Sequence, residues 1–195
     1  MTAQIGDSFN FKGNNYSIVA ISKPIKFDPS DYGLKPVACC TACWNGYWCD
    51  YDISKDGIFL RNLYVNTEGE YPEINGIKAQ GDSNNPRTLV FFGHHVYKDL
   101  NIPIDYTGKI LVGDKFIHKY YIHMGYQRAW AYEILIELCF KKGKLVNEID
   151  QSKKSEELRE KFDRGEIKEN SLISIKNFVK ECFSLKYSDK VWWGK

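Results

Sequence analysis

The chain has 195 residues, of which 43% are apolar and 15% aromatic, and its formal net charge at pH 7 is only +2. This balance excludes a disordered chain, because such chains have few apolar residues and a large excess of one charge. It also argues against nucleic acid as a partner, since binding to duplexes depends on clustered Lys and Arg side chains that neutralise phosphates.

The sequence also limits where the chain is expected to work. Its first residues lack the basic start and the apolar run of a secretory signal, and no segment approaches about 18 uninterrupted apolar residues. We therefore expect no membrane-spanning helix and a cytoplasmic location. In that reducing compartment the six cysteines are expected to be free thiols rather than a disulfide framework.

Two β-hairpins are predicted in the first third of the chain. Apolar and polar residues alternate in residues 9–11 and 16–20, on either side of a short turn with glycine. The same alternation occurs in residues 47–53 and 59–65, again around a turn with glycine. Alternation with a period of two is typical of strands with one buried face, and a short polar turn between two such runs predicts a hairpin.

The middle of the chain is predicted to contain an exposed excursion and further short strands. The excursion covers residues 67–86, which are polar and interrupted by Gly, Asn and Pro. Asp114 is placed to cap a short helix over residues 114–121, because its carboxylate could accept backbone amides at the helix start. Short apolar runs predict strands at residues 88–92, 100–104 and 109–112.

The sequence pattern in the last third of the chain predicts one long strand followed by helices. Apolar residues occupy every second position in residues 132–140, and a Lys-Lys-Gly turn follows them. Residues 152–164 are rich in charge and have a narrow apolar edge, which indicates a solvated helix that ends at Gly165. A second amphipathic helix is predicted to begin at Ser174.

These elements predict a single α+β domain over residues 1–195. Residues 1–150 form its β-rich body and residues 151–195 its helical C-terminal segment. The body is expected to be a mainly antiparallel sheet built from hairpins, arranged as a curved sheet or a partly open barrel, with the C-terminal helices packed on it.

The most unusual segment, residues 38–49, contains four cysteines and three aromatic residues. The spacing of Cys40 and Cys43 is that of half a tetrahedral zinc site, to which Cys39 or Cys49 could add a third thiolate. No second C-x2-C pair completes such a site, so packing thiols are the favoured interpretation. A catalytic thiolate would need a nearby histidine and a lowered pKa. No metal ligand and no cofactor is therefore assigned.

Neither the histidines nor any known sequence motif predicts a metal site or a catalytic site. His94 and His95 are adjacent and point to opposite faces of a strand, and His118 and His123 lack the spacing that places two ligands on one helix face. No phosphate-binding loop, dinucleotide fingerprint, nucleophile elbow or kinase motif is present in the sequence. No catalytic residue is assigned.

Aromatic residues with glycine and asparagine neighbours are the remaining signal. Tryptophan, tyrosine and arginine dominate the binding energy at protein interfaces, because they bury a large area and keep a polar group. The predicted partner-binding residues are Trp44, Tyr47, Trp48, Arg128 and Trp130.

The function predicted from these features is protein binding, with another protein as the partner. Its most specific form is a bacterial immunity or antitoxin protein, which neutralises a toxin by covering it and needs no chemistry of its own. The alternative is a small enzyme or ligand-binding domain that uses the loop between Cys39 and Cys49 together with His118 or His123, with zinc as an option.

Overall fold

The computed structural model describes residues 3–81, 95–123 and 125–166, and this part of the chain is mostly β-sheet. One α-helix occurs within these ranges, α1 (Ser152–Asp163), and it packs on the sheet. The predicted α+β class is confirmed. The strands are β1 (Ser8–Phe11), β2 (Asn14–Ile21), β3 (Tyr47–Ser54), β4 (Gly57–Val65), β5 (Gln80–Gly81), β6 (His95–Tyr97), β7 (Ile102–Ile104), β8 (Gly108–Phe116), β9 (Tyr132–Lys141) and β10 (Lys144–Asp150).

The two predicted hairpins are confirmed as the pairs β1–β2 and β3–β4, and the strand and turn predicted over residues 132–143 belong to a third hairpin, β9–β10. The first and the third have the same turn chemistry, a lysine followed by a glycine. Lys12 and Gly13 have φ values of 52° and 80°, and Lys142 and Gly143 have values of 50° and 75°. Positive φ at both central residues defines a turn whose twist matches the flanking strands, which explains the tight antiparallel pairing.

The strands form one mixed sheet in the order β10-β9-β8-β2-β1-β3-β4-β6-β5, and β7 pairs with β4 beside this path. Only the β1–β3 pair of this described sheet is parallel, with Phe9 opposite Tyr51. The sheet is open but curved, because the start of β4 meets the β9–β10 turn. There the Ile58 amide donates to the Gly143 carbonyl at 3.1 Å.

The largest buried cluster joins strands from both ends of this sheet order. It includes Phe9 of β1, Tyr51 of β3, Leu60 of β4, Ile110 of β8 and Phe140 of β9. The Phe9 ring stacks between two others, with centroids 5.7 Å from Tyr51 and 6.1 Å from Phe140. Burial of these large side chains accounts for the curvature, because it brings β9 towards the β3–β4 hairpin.

A second buried cluster lies between the sheet and α1. Trp130 contacts Tyr120 and Phe162 there, with both ring centroids at 5.0 Å. Arg159 of α1 donates to the backbone carbonyls of Trp130 at 3.0 Å and Tyr132 at 2.7 Å. The helix is therefore attached by apolar packing and by hydrogen bonds to the segment that leads into β9.

The helix α1 ends just before the glycine where the sequence predicts its end. Gly165 has a φ of 72°, and its amide donates to the Phe162 carbonyl at 2.9 Å. This left-handed position satisfies a terminal carbonyl and stops the helix. Within the described residues, no helix has the length and apolar character needed to cross a membrane.

The predicted helix over residues 114–121 is wrong. Strand β8 continues to Phe116, and Asp114 lies opposite Ile134 of β9. The Asp114 carboxylate accepts the amide of its neighbour Lys115 at 2.7 Å instead of capping a helix. Pairing with β9 outweighs the local capping preference, and only a short 3-10 turn, His118–Tyr120, follows.

Other predicted elements are shorter than expected or lie outside the described residues. The apolar run at residues 100–104 contributes only β7, and the excursion after residue 67 contains β5 and the buried Ile74. The predicted strand at residues 88–92 and the predicted helix from Ser174 lie outside the described ranges.

Candidate functional site

Residues 39–49, here called the cysteine loop, lead into β3 and form the outer wall of the candidate site. The loop is built from two consecutive turns. The Cys43 amide donates to the Cys40 carbonyl at 3.2 Å, and the Gly46 amide donates to the Cys43 carbonyl at 3.3 Å. Trp44, between these turns, has 53% of its surface exposed.

Gly46 fixes the base of the loop against a neighbouring backbone segment. It has a φ of 75°, and a Cβ atom at this position would lie 2.5 Å from the Val37 carbonyl oxygen. The Asn66 amide donates to the Gly46 carbonyl at 2.8 Å, and the Val37 amide donates to the Asn66 carbonyl at 2.9 Å. Glycine is required here both for its left-handed backbone and for the close approach.

The N-terminal segment holds the tip of the cysteine loop. The Ile5 amide donates to the Ala42 carbonyl at 2.8 Å. The Gln4 side chain donates to the Thr41 carbonyl at 2.8 Å and accepts the Trp44 amide at 3.4 Å. These bonds attach both sides of the Trp44 turn to another segment, so the exposed indole is carried on an ordered backbone.

The cysteines of the loop pack against the sheet. Cys43 lies in a third buried cluster with Trp48 and Tyr64, whose rings stack with centroids 4.9 Å apart, and Cys39 and Cys40 pack against the same cluster. This arrangement supports the packing interpretation of the thiols.

The acidity of these thiols points away from a nucleophile. Burial and the nearby Cys39 thiol raise the pKa of Cys43 to about 12. Burial, followed by the neighbouring Cys40 thiol, raises the pKa of Cys39, and burial also raises that of Cys49. A catalytic thiolate needs the opposite shift.

Residues 3–81, 95–123 and 125–166 also bear on the zinc interpretation. No group of three or more His, Cys, Asp or Glu side chains in these ranges is arranged to hold a metal ion. His118 and His123 do not join the cysteine loop through any hydrogen bond, ion pair or ring contact among the described residues. Their rings instead contact Phe116 at 5.4 Å and Tyr121 at 5.1 Å.

A pocket of about 190 Å³ opens on the inner side of the cysteine loop. Its apolar wall comes from Ile5, Ile18 of β2 and Phe27 of the segment after β2, and its polar groups are Asp7, Asn45 and three tyrosines. The pocket is small, since drug-sized sites usually have volumes of about 300–1,000 Å³. We call it the Asp7 pocket.

Asp7 supplies the carboxylate of this pocket and is partly buried as a residue. Its Oδ1 accepts the Cys49 amide at 2.8 Å. Among the described residues, Oδ2 has no hydrogen-bond partner, and no lysine or arginine forms an ion pair with the carboxylate. Burial raises the pKa of Asp7 from 3.8 to about 6, opposed by the Cys49 amide and assisted by the Asp50 carboxylate.

Two tyrosines share the environment of Asp7. Burial, and then the charges of Cys49 and Asp7, raise the pKa of Tyr47 to about 12. Burial, and then the charges of Asp7 and Cys43, raise the pKa of Tyr126 to about 12. Both phenols therefore stay neutral at physiological pH and can donate or accept hydrogen bonds beside the carboxylate.

The predicted partner-binding residues fall into two groups. Trp44 and Tyr47 lie on the cysteine loop, with Trp44 at its exposed tip and Tyr47 half-buried at the pocket. Trp48, Arg128 and Trp130 are 1%, 7% and 2% exposed, and Arg128 lies over the Trp130 ring at 5.3 Å. These three side chains are buried in this conformation, whereas Trp44 and Tyr47 lie at the surface or at the pocket. The partner-binding assignment itself stays a prediction.

Sequence reasoning missed Asp7 and Tyr126. The signal for Asp7 was weak, because Asp7 lies directly before β1 and two positions ahead of the buried Phe9. Tyr126 left no such signal, because it lies in an irregular segment that only tertiary structure brings to the pocket. Comparison with protein-family models, with curated proteins and with solved structures gave no match.

Proposed function

We propose that the chain is an intracellular protein-binding module that acts through the cysteine loop. The observation that carries this proposal is the exposed Trp44 on an ordered turn. Its indole is 53% exposed, while the backbone on either side is held by Gln4 and Ile5. An aromatic anchor that is already ordered loses little entropy on binding, which is the usual property of an interface hot spot.

The most specific form of this proposal is an immunity or antitoxin protein of bacterial origin. Such a protein needs an exposed, complementary surface and no chemistry of its own. The raised thiol pKa values in the cysteine loop and the near-neutral net charge are compatible with that role. The partner is then a toxin or effector domain that accepts the Trp44 indole in a pocket of its own.

The experiment is a capture assay with a matched variant. The tagged protein is incubated with lysate of its host, and bound proteins are identified by mass spectrometry after a moderate-salt wash. A captured protein is then expressed alone and together with this chain, to test whether it is toxic and whether the chain neutralises it. We expect Trp44→Ala to weaken the complex by about 2 kcal/mol, roughly thirtyfold, and to abolish neutralisation.

The control is Tyr121→Ala, which removes another exposed aromatic side chain that lies outside the cysteine loop. This variant should capture and neutralise like the wild type. Equal capture and neutralisation by Trp44→Ala and wild type would contradict the assignment of the interface, and the lack of any toxic partner would contradict the immunity role.

The alternative function, a small ligand-binding domain or enzyme, is favoured by one observation, the Asp7 pocket. Its carboxylate, its neutral tyrosines and its apolar wall are the usual components of a small-molecule site. The histidine and zinc parts of that alternative have no support from the described contacts, because His118 and His123 contact other aromatic rings.

A further inference from the structure

The Asp7 pocket combines a carboxylate oxygen that has no hydrogen-bond partner among the described residues with a partly open cavity whose lining is both polar and apolar. Asp7 Oδ1 is held by the Cys49 amide at 2.8 Å, which fixes the carboxylate and leaves Oδ2 available. A carboxylate in such a place is normally paired with a cation, because burial of an unpaired charge is costly. The described part of the chain supplies no lysine or arginine for this purpose.

The remaining polar groups fit a donor with several N–H bonds. Tyr47 and Tyr126 line the same pocket and interact electrostatically with Asp7. Their hydroxyl oxygens can accept hydrogen bonds, so the pocket offers acceptors from three side chains. A primary ammonium group has three donors and no acceptor, and it matches this set. Tyrosine and phenylalanine rings nearby also favour a cation.

The size of the pocket limits the rest of the ligand. A volume of about 190 Å³ corresponds to roughly six water-sized groups at about 30 Å³ each. Ile18 and Phe27 in the wall favour a stem of methylene groups. An ammonium group on a stem of four or five carbons fills this space.

We propose that the Asp7 pocket binds a primary alkylammonium group, with its nitrogen at Asp7 and its aliphatic stem along Ile18 and Phe27. The group can belong to a free amine or to a lysine side chain of a protein partner, since both present the same chemistry. The site lies beside the exposed Trp44 and shares Tyr47 with the predicted partner-binding residues. Amine binding can be tested whether or not a protein partner is found.

The first test is an NMR titration with n-butylamine, using n-butanol as the neutral ligand of the same shape. The Cys49 amide is the reporter, because it donates to Asp7. We expect a saturable shift of this amide with butylamine and binding at least tenfold weaker with butanol. Asp7→Asn should weaken butylamine binding at least tenfold, whereas Asp56→Asn, which removes an exposed carboxylate from the β3–β4 turn, should not.

The pH dependence provides a second readout. The titratable groups that face Asp7 are Cys49, Asp50 and the tyrosines at positions 47, 51 and 126. The thiol and the tyrosines are held neutral by their raised pKa values, so Asp7 dominates the change. With an Asp7 pKa of about 6, the affinity for butylammonium should rise about tenfold between pH 5 and pH 7.5, as the carboxylate ionises.

The outcomes separate the possible sources and test the proposal. Nα-acetyl-lysine methylamide that binds as well as butylamine assigns the pocket to a lysine side chain, whereas binding of butylamine alone assigns it to a free amine. Trp44→Ala should leave both affinities unchanged, which keeps this result separate from the proposed protein interface. Equal binding of butanol and butylamine, equal binding by Asp7→Asn, or no saturable shift with any amine would overturn the proposal.

Discussion

Asp7 and Asp163 both lie beside tyrosines, yet their surroundings shift their pKa values in opposite directions. Asp163, at the end of α1, accepts the Tyr120 hydroxyl at 2.9 Å and pairs with Lys119 at 2.8 Å. The hydrogen bond from Lys119, followed by that from Tyr120, lowers the pKa of this exposed carboxyl. All of the partners of Asp163 come from the chain itself.

Asp7 has a different environment, although it has the same type of neighbours. Burial raises its pKa to about 6, and only the Cys49 amide opposes that rise. The comparison shows that an aspartate next to tyrosines is not by itself a site. A carboxylate that meets a lysine and a phenol completes a structural cluster, whereas one that is buried in a pocket without a cation costs stability and needs another explanation.

The largest expected effect is a loss of stability, and it distinguishes the buried cluster at α1 from the exposed cysteine loop. Trp130→Ala should lower the free energy of unfolding by about 3–5 kcal/mol, because it removes a buried indole that packs between Tyr120 and Phe162. Trp44→Ala should change it by less than about 0.5 kcal/mol, because the indole is exposed. Urea unfolding measures both, and similar losses for the two variants would contradict the assignment of Trp44 to a binding surface.

The next largest effect is the change in stability when Asp7 or Asp163 loses its charge. Asp7→Asn should stabilise the protein at pH 7 by up to about 3 kcal/mol, because the amide can still accept the Cys49 N–H and carries no charge. Protonation of Asp7 stabilises the folded wild type fully below pH 3.8, and this contribution is lost as the pH rises through about 6. The advantage of the variant should therefore vanish near pH 4 and grow towards pH 7.

Asp163→Asn is the matched control for this experiment. The pKa of Asp163 is lowered in the folded state, so its contribution to stability is present at neutral pH and is lost as the pH falls through the folded pKa. This variant should be slightly less stable than the wild type at pH 7, the opposite sign from Asp7→Asn. Unfolding midpoints between pH 4 and pH 7 test both signs. If the wild type is more stable than Asp7→Asn at pH 7, the carboxylate has a partner in the free protein.

A smaller effect tests the base of the cysteine loop. Gly46→Ala should cost roughly 2 kcal/mol, because the residue has a left-handed backbone and its Cβ would meet the Val37 carbonyl. Gly76→Ala is the control, since its φ of 76° is similar but no atom of the residues that the structure describes lies within 4 Å of the added Cβ. It should lose only about 1 kcal/mol. Equal losses in thermal unfolding would mean that the contact with Val37 is not tight.

Local sequence patterns were sufficient for the hairpins, because their alternation and their turn residues act over a few neighbouring positions. The strand at residues 132–140 illustrates this, since its pattern and its lysine-glycine turn are both found in β9 and β10. The helix predicted from Asp114 failed for a non-local reason. Asp114 pairs across the sheet with Ile134, and a contact at that separation leaves no trace in the local sequence.

The candidate site could be predicted only in part for the same reason. The unusual composition of residues 38–49 identified the cysteine loop, but composition cannot distinguish an exposed tryptophan from a buried one. Trp44 and Trp48 are four residues apart, and the first is exposed while the second is buried because the strand begins between them. Tyr126 reaches the pocket through tertiary structure alone, which a single sequence does not reveal.

The pairing of β2 with β8 has a consequence for how this protein reaches its fold. The ladder places Ile18 opposite Val112, so it joins two runs of strands, β1–β2 and β8–β9–β10, in which each strand pairs with the next one along the chain. Each run can form early from near neighbours, but the sheet becomes continuous only when a long segment of chain closes. We expect this closure to limit the folding rate.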